Sequence, residues 1–463
     1  MNALPTELVI EIVRDMCPLQ RVPILFVNRE WRACARFMQG KWPGRTRPRP
    51  RRSIASRCTI ARFISWAAKR GSLTLIKWAR SAGCPWDQRT CADAARGGHL
   101  DVLLWLRNNG CPWDEGTCAA AASAGRLAIL QWVRANRCPW DSNTCTDAAR
   151  NGHLAVLQWA RTHGCPWTSG VCVRAAQRGH FDVLVWAFNN RCPKSEYVCH
   201  SAAKQGDLEM LRWARAARCP WGETTCAFAA KRGHLNVVQW ARANGCPWDE
   251  STCINAAREG HLVVLQWACA NGCPWDSLCA IEAAKGGHLN VIKWIVAAGY
   301  KLYGNVADAA ACHGHLDLVA WIHANGVASL GKHTCDSAAL GGHIDVLQWL
   351  RANGVRWGTQ TCAGAAQGGH LDVLRWARAN GCPWNENTCS HAAEYGHLEV
   401  LRWARANGCP WDYTVCLVAV QNDHLDVLEW ALANGCEWDM QARCAALRAQ
   451  PRVLEWLTEA VYV

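Results

Sequence analysis

Cysteine and histidine are the residue types in this chain best suited to chemistry, and both recur at fixed spacing. Of 29 cysteines, eleven open a short loop at Cys84, Cys111, Cys138, Cys165, Cys192, Cys219, Cys246, Cys273, Cys382, Cys409 and Cys436. Most of these are followed by a second cysteine in a Cys-x6-Cys spacing, as at Cys91, Cys118 and Cys145, and then by a histidine eight places on, as at His99 and His153. Zinc binding, a disulfide ladder and a histidine-based catalytic row are the three chemistries such a pattern could serve. The spacing matches no common zinc finger and Cys-x-x-Cys is absent, so no metal or other cofactor is expected. Equivalent residues in stacked helical layers lie about 8–10 Å apart, beyond the ~7 Å Cα separation a disulfide tolerates. Periodic cysteine is therefore expected as a small buried apolar residue. Free thiols on this scale fit a reducing, intracellular compartment, cytoplasmic or nuclear.

The elements that hold these residues repeat every 27 positions from about Arg57 to the C-terminus. One copy runs from Cys246 to Gly272: Cys-Pro-Trp-Asp-Glu-Ser-Thr-Cys-Ile-Asn-Ala-Ala-Arg-Glu-Gly-His-Leu-Val-Val-Leu-Gln-Trp-Ala-Cys-Ala-Asn-Gly. A fixed period of this length implies a solenoid, in which each unit buries its apolar face only against its neighbours. Function is then expected on a long surface rather than in a pocket. Within the copy beginning at Cys84, Thr90 suits a helix N-cap, Ala94 and Ala95 permit close helix approach, and Gly98 fits a left-handed C-terminal turn. A second helix follows from Leu100 to Arg107, Asn109-Gly110 closes it, and Pro85 forbids its continuation.

Position by position, this unit resembles the ankyrin repeat. Thr-Cys-x-x-Ala-Ala-x-x-Gly-His-Leu stands where that family has Thr-Pro-Leu-His-x-Ala-Ala-x-x-Gly-His-Leu, with cysteine in place of the proline. The unit is about six residues shorter than the ~33 of ankyrin, and the loss falls between Asp87 and Thr90, where ankyrin builds its β-hairpin finger. The expected fold is all-α: an ankyrin-type solenoid of about 15 helix-pair repeats of 27 residues with trimmed hairpins, preceded by a small helical segment. Tyr300 to Gly326 lacks Cys-Pro-Trp altogether, and the array is expected to bend or loosen there.

Three segments follow: 1–40, a helical segment; 41–56, a basic Pro/Arg linker; and 57–463, the repeats. The linker carries six positive residues and no acid between Lys41 and Ser53, out of a net charge of +13 for the chain. The helical segment is similar to an F-box: Leu4-Pro5-Thr6-Glu7-Leu8, Ile12 four residues on, then Val27-x-x-x-Trp31-Arg32. That resemblance implies that Leu4, Pro5, Leu8 and Ile12 face a Skp-family adaptor of a cullin ubiquitin ligase. The combination resembles F-box/ankyrin proteins expanded in giant DNA viruses of amoebae and in amoeboid hosts.

Equivalent positions in stacked units form rows. The tryptophan rows (Trp78, Trp105, Trp132 and onward; Trp86, Trp113, Trp140 and onward) are expected as core packing, and the Gly-His row as structural. An arginine row after the second-helix tryptophan (Arg80, Arg107, Arg134) is expected to snorkel over the outer surface. Recognition is expected where the repeat varies. At the end of the first helix Arg96, Arg150, Arg178, Lys204, Lys231, Arg232, Arg258 and Lys285 lay a basic stripe suited to an acidic target protein. No nucleophile–base pair, phosphate loop or carboxylate pair rises above the repeat, so no catalysis is expected. The leading expectation is a monomeric protein-binding adaptor that recruits a target protein to a ubiquitin ligase. A stand-alone interaction scaffold is the first alternative, and nucleic-acid binding through the linker and basic stripe the second. No membrane segment is expected, because no run approaches the ~18 apolar residues a span needs and Met1 opens no signal peptide.

Overall fold

The computed structural model describes residues 63–81 and 83–437. The F-box-like residues Leu4, Pro5, Leu8 and Ile12, the basic linker and the last repeat lie outside the described residues. Every described repeat is a helix pair, and no strand occurs among the described residues. The chain divides into two compact units, one up to Pro193 and one from Lys194. In the first, helix Leu73–Ser81 precedes the pair Gln88–Gly97 and Leu100–Asn108, and the series continues through Glu115–Ser123 and Leu127–Ala135, Ser142–Arg150 and Leu154–Thr162, and Gly170–Arg178 and Phe181–Asn189. The second unit runs from Glu196–Gln205 to Leu425–Ala433. The degenerate stretch keeps both its helices, Gly304–Cys312 and Leu316–Ala324.

The first helix of the Cys84 copy begins three residues earlier than a Thr90 cap would start it, and most copies follow it. Asp87 is the N-cap, and its carboxylate accepts the Arg89 N–H at 3.0 Å; Asp114 and Asp141 do the same for Gly116 and Asn143. Thr90 lies one turn inside, fully buried. An aspartate reaches the free N–H groups of the first turn and adds negative charge at the positive end of the helix dipole. At the position of Thr90, threonine takes part in capping at Thr334 and Thr361, where the cap residue is glycine: they accept from Gly331 and Gly358 N–H at 3.2 and 3.3 Å. Those two hydroxyls in turn donate to Asp308 and Asp336 of the preceding repeat, each at 2.7 Å.

Ala94, Ala95, Val102, Leu103 and Leu106 are fully buried, as are their counterparts along both units. The closest packing between repeats joins successive first helices, whose paired alanines leave little side chain between backbones. The turn between helices is equally tight. Gly98 takes φ +94°, and a Cβ on Gly152 would lie 2.7 Å from His180 Nδ1, so a side chain at Gly152 would collide with the next repeat's histidine; Asp423 holds the same turn at φ +61°.

The histidine row bridges repeats: His153, His180 and His288 present Nε2 to the carbonyls of Ser123, Arg150 and Arg258 at 3.2, 3.2 and 2.9 Å. The cysteines also bond as well as pack. Cys111 Sγ donates to the Asp87 carbonyl at 3.5 Å, and Cys138 and Cys273 repeat the contact with Asp114 and Asp249 at 3.3 Å. All described cysteines are free thiols, and only Cys269 and Cys312 are less than buried. Burial pushes Cys279 and Cys335 up to about 12, and the Cys111 sulfur together with burial pushes Cys91 upward. Such thiols are poor nucleophiles at neutral pH.

The tryptophans depart from expectation, because none is among the buried core residues. They form a half-buried outer layer in edge-to-face pairs, Trp86 on Trp105 and Trp113 on Trp132, with centroids 6.0 Å apart. The arginine row covers that layer instead of snorkelling freely. Arg107 donates to the Cys111 carbonyl at 2.6 Å while its guanidinium lies 4.0 Å from the Trp113 ring. Arg80, Arg351 and Arg405 make the same clasp over Trp86, Trp357 and Trp411. Where Cys269 replaces the arginine, Tyr300 stacks on Trp275 at 4.1 Å.

Candidate interaction surface

With thiols, imidazoles and indoles absorbed into the scaffold, the exposed ends of the first helices are among the positions at which side chains vary. In the first unit three of the expected target-binding residues converge. Arg96, Arg150 and Arg178 line one open cleft of about 820 Å³ with Ser123, Ala124, Asp147, Asn151 and His180.

The cleft arises from a break in the row. Arg96 and Arg150 occupy the same position two repeats apart, and Ser123 stands between them where a long cation would fill the space. Ala124, next to it, is equally short. Arg178 sits one place further along its helix, at the last residue of Gly170–Arg178. All three arginines are exposed at the C-terminal ends of their helices, where the helix dipole favours cations. Arg96 is tied to Asp93 at 2.9 Å. Arg150 and Arg178 have no carboxylate within ion-pair distance among the described residues. Asp147, one turn before Arg150, is partly buried; burial pushes its carboxyl up, while Arg150, Arg96 and Arg174 pull it down. The lining therefore carries three guanidinium charges against one carboxylate.

Along the second unit the expected stripe is exposed at Lys204, Arg232, Arg258 and Lys285 and half-buried at Lys231. Three of its cations are engaged. Arg258 Nε reaches Glu282 at 2.7 Å, Lys285 reaches the same carboxylate at 2.8 Å, and Lys231 lies 3.8 Å from Glu259. Burial would raise Glu282, but its hydrogen bonds from Lys285 and Arg258 outweigh that and hold it below the usual carboxylate range. Lys204 and Arg232 have no such partner among the described residues. A list of basic residues alone passes over Glu259 and Glu282, and over Ser123 and Ala124. The signal for all four was present as departures from the repeat at its variable positions.

Among the described residues no group of three or more His, Cys, Asp or Glu side chains could hold a metal ion. Nor is any described helix long and apolar enough to cross a membrane.

Comparison with known proteins gives one family. The family model "Ankyrin repeats (many copies)" matches residues 307–351, which include the degenerate repeat. No curated protein matches. Among solved structures, the human ASB11 ankyrin repeat domain is 19% identical, with 34% of this chain and 84% of that one covered, at a TM-score of 0.30. The pentatricopeptide repeat protein PPR10 from maize is 12% identical, with 93% and 81% covered, at a TM-score of 0.33. PPR10 in complex with an 18-nt psaJ RNA element is also 12% identical, with 91% and 81% covered, at a TM-score of 0.29. The helix pairs with their Ala-Ala and Gly-His turns make this an all-helical repeat chain, and its residues 307–351 are similar to ankyrin repeats.

Proposed function

We propose that the chain is a protein-binding scaffold whose repeats hold a target protein on the exposed ends of the first helices. The observation that carries this reading is the division of labour within the repeat. The recurring chemistry-bearing side chains face carbonyls or one another: Cys111 the Asp87 carbonyl, His153 the Ser123 carbonyl and Arg107 the Cys111 carbonyl. The exposed first-helix ends change character from copy to copy, from Arg96, Ser123 and Arg150 to Leu340, Gln367 and Glu394. A scaffold role, without catalysis by this chain, is what such a surface serves best.

The F-box-like residues add a finer reading, in which Leu4, Pro5, Leu8 and Ile12 dock a Skp-family adaptor and couple the captured target to a cullin ubiquitin ligase. Its support is the sequence pattern: Leu4-Pro5-Thr6-Glu7-Leu8, Ile12 four residues on, and Val27-x-x-x-Trp31-Arg32. Affinity capture with the full-length chain, followed by mass spectrometry, tests both levels. Recovery of a Skp-family adaptor that is lost with Leu8→Asp or Ile12→Asp supports the coupling. Recovery of a target without the adaptor leaves a stand-alone scaffold, and recovery of no protein partner removes the scaffold reading.

A further inference from the structure

We infer that the cleft bounded by Arg96, Arg150 and Arg178 is the seat for an extended acidic segment of a partner protein, an inference that rests on the scaffold reading above. The cleft has the volume of a ligand site, about 820 Å³, within the ~300–1,000 Å³ usual for such clefts. It also has a charge. Arg150 and Arg178 are exposed and have no carboxylate partner among the described residues, whereas Arg96 keeps one at 2.9 Å. Bidentate guanidinium groups recognise carboxylates by geometry as well as charge.

Layer spacing sets the length of the segment. Arg96 and Arg150 are two repeats apart, which at 8–10 Å per helical layer is roughly 16–20 Å. An extended peptide rises about 3.3 Å per residue, so about five or six residues separate the carboxylates that reach the two arginines. Ser123 and Ala124 floor the space between with short side chains. A small or neutral stretch between two acidic ends therefore fits better than unbroken acidity, because the Asp147 carboxylate also lines the cleft, one turn before Arg150 and near enough to feel the Arg96 charge. Asn151 lies at Arg150's side and offers both a donor and an acceptor to a passing backbone.

A nucleic acid fits less well. Single strands bind where bases find open aromatic faces beside the cations. No aromatic ring apart from the His180 imidazole lines the cleft, and the loop tryptophans Trp86, Trp113, Trp140 and Trp167 lie under guanidinium groups, as Arg134 over Trp140 at 4.0 Å and Arg161 over Trp167 at 4.6 Å.

Fluorescence anisotropy with the full-length protein tests the inference. The probe is a labelled Glu-Gly-Ser peptide with acidic blocks at both ends; its lysine counterpart and a labelled single-stranded oligonucleotide are the comparators. The expected result is salt-sensitive binding of the acidic peptide alone. The double variant Arg150→Glu/Arg178→Glu should weaken it by roughly tenfold or more. Ser123→Trp, which fills the cleft and changes no charge, should also weaken it, whereas Arg402→Glu, on an exposed second-helix face of the second unit, should not. Circular dichroism confirms that each variant keeps its helices, and the cleft-filling and charge variants fail independently. Unchanged affinity in both cleft variants, or tighter binding of the oligonucleotide with displacement of the peptide, overturns the assignment. No peptide binding by the native chain overturns it too, but spares the scaffold reading if the same chain still captures a protein partner.

Discussion

Two stretches of one basic row behave differently in the two units. In the first, Ser123 interrupts the row and Arg150 and Arg178 face an open cleft without carboxylate partners among the described residues. In the second, Arg258 and Lys285 converge on Glu282, and Lys231 approaches Glu259. Net charge along the row is a poor guide to what it can bind. The neighbouring rows decide the outcome: an acid one turn away or in the next repeat removes a cation from recognition, and a short residue between two cations creates room for a ligand.

The comparison presumes that both stretches stand on the same scaffold, which makes the largest prediction a test of sameness. Leu103 in the first unit and Leu374 in the second occupy equivalent positions and are fully buried. Truncating either to alanine removes the same apolar contacts and leaves a similar cavity, so each should cost about 2–5 kcal/mol. Urea unfolding followed by helical circular dichroism measures both. Costs that differ by more than the error of extrapolation would show that the units are not built alike, and the contrast in charge would then have a second cause.

A smaller effect is expected from the clasp on the outer layer. Arg107→Ala removes a charge-assisted hydrogen bond to the Cys111 carbonyl and the guanidinium above Trp113. About 1–3 kcal/mol should be lost, since hydrogen bonds to charged groups contribute about 1.5–3 kcal/mol and cation–π contacts about 0.5–1 kcal/mol where exposed. Arg378→Ala should match it, because Arg378 lies 4.0 Å from Trp384 and donates to Cys382. Loss of less than a few tenths of a kcal/mol in both would return these arginines to the class of freely solvated side chains.

Much of this scaffold was legible in the sequence because repetition exposes physics. Ala94-Ala95 and Gly98-His99, recurring every 27 residues, announce close helix packing and a left-handed turn, and the structure has both. The trimmed hairpin was legible as well, from the residues missing between Asp87 and Thr90. Three features were not. Thr90 looks like a cap because threonine commonly is one, but the aspartate three residues earlier competes for the same N–H groups and wins with its charge. Tryptophan at a fixed position looks like core, yet a row of arginines at a fixed offset can roof it at the surface. The cleft was invisible for a different reason: it depends on Ser123 and Ala124, whose importance lies in what they fail to fill. The row of cations was readable, but its pairing with acids of other rows follows from three-dimensional stacking.

Converting one stretch into the other sharpens the comparison directly. Glu259→Gln with Glu282→Gln should free Lys231, Arg258 and Lys285 while leaving helix packing intact. The stability cost should stay within about 1 kcal/mol, as for exposed ion pairs generally. Binding of the acidic peptide should rise a few-fold and become more sensitive to salt. In the opposite direction, Asp147→Asn removes the one carboxylate from the cleft and should also tighten the peptide, by less. Weaker binding in either variant would mean that the acids help to shape the site and do not merely neutralise it.

The smallest effect has a sign fixed by pH. Glu282 is held below the ordinary carboxylate range by Lys285 and Arg258, so the folded chain releases its proton more readily than the unfolded one. Its contribution to stability is therefore present above the unfolded value of about 4.3 and is lost as pH falls through the lower folded value. Because both cations are largely exposed, solvent screening keeps that contribution to at most about 1 kcal/mol. The partly buried Asp308 and Asp336 act in the other direction: burial raises them, they bind protons more tightly when folded, and they gain stability as pH falls. Those terms are common to the wild type and to Glu282→Gln, so they cancel in the difference between the two. Melting temperatures near about pH 7 should favour the wild type, and near about pH 3 the two chains should converge. A difference that persists in acid would mean that Glu282 acts through packing and that Arg258 and Lys285 are held by something other than its charge.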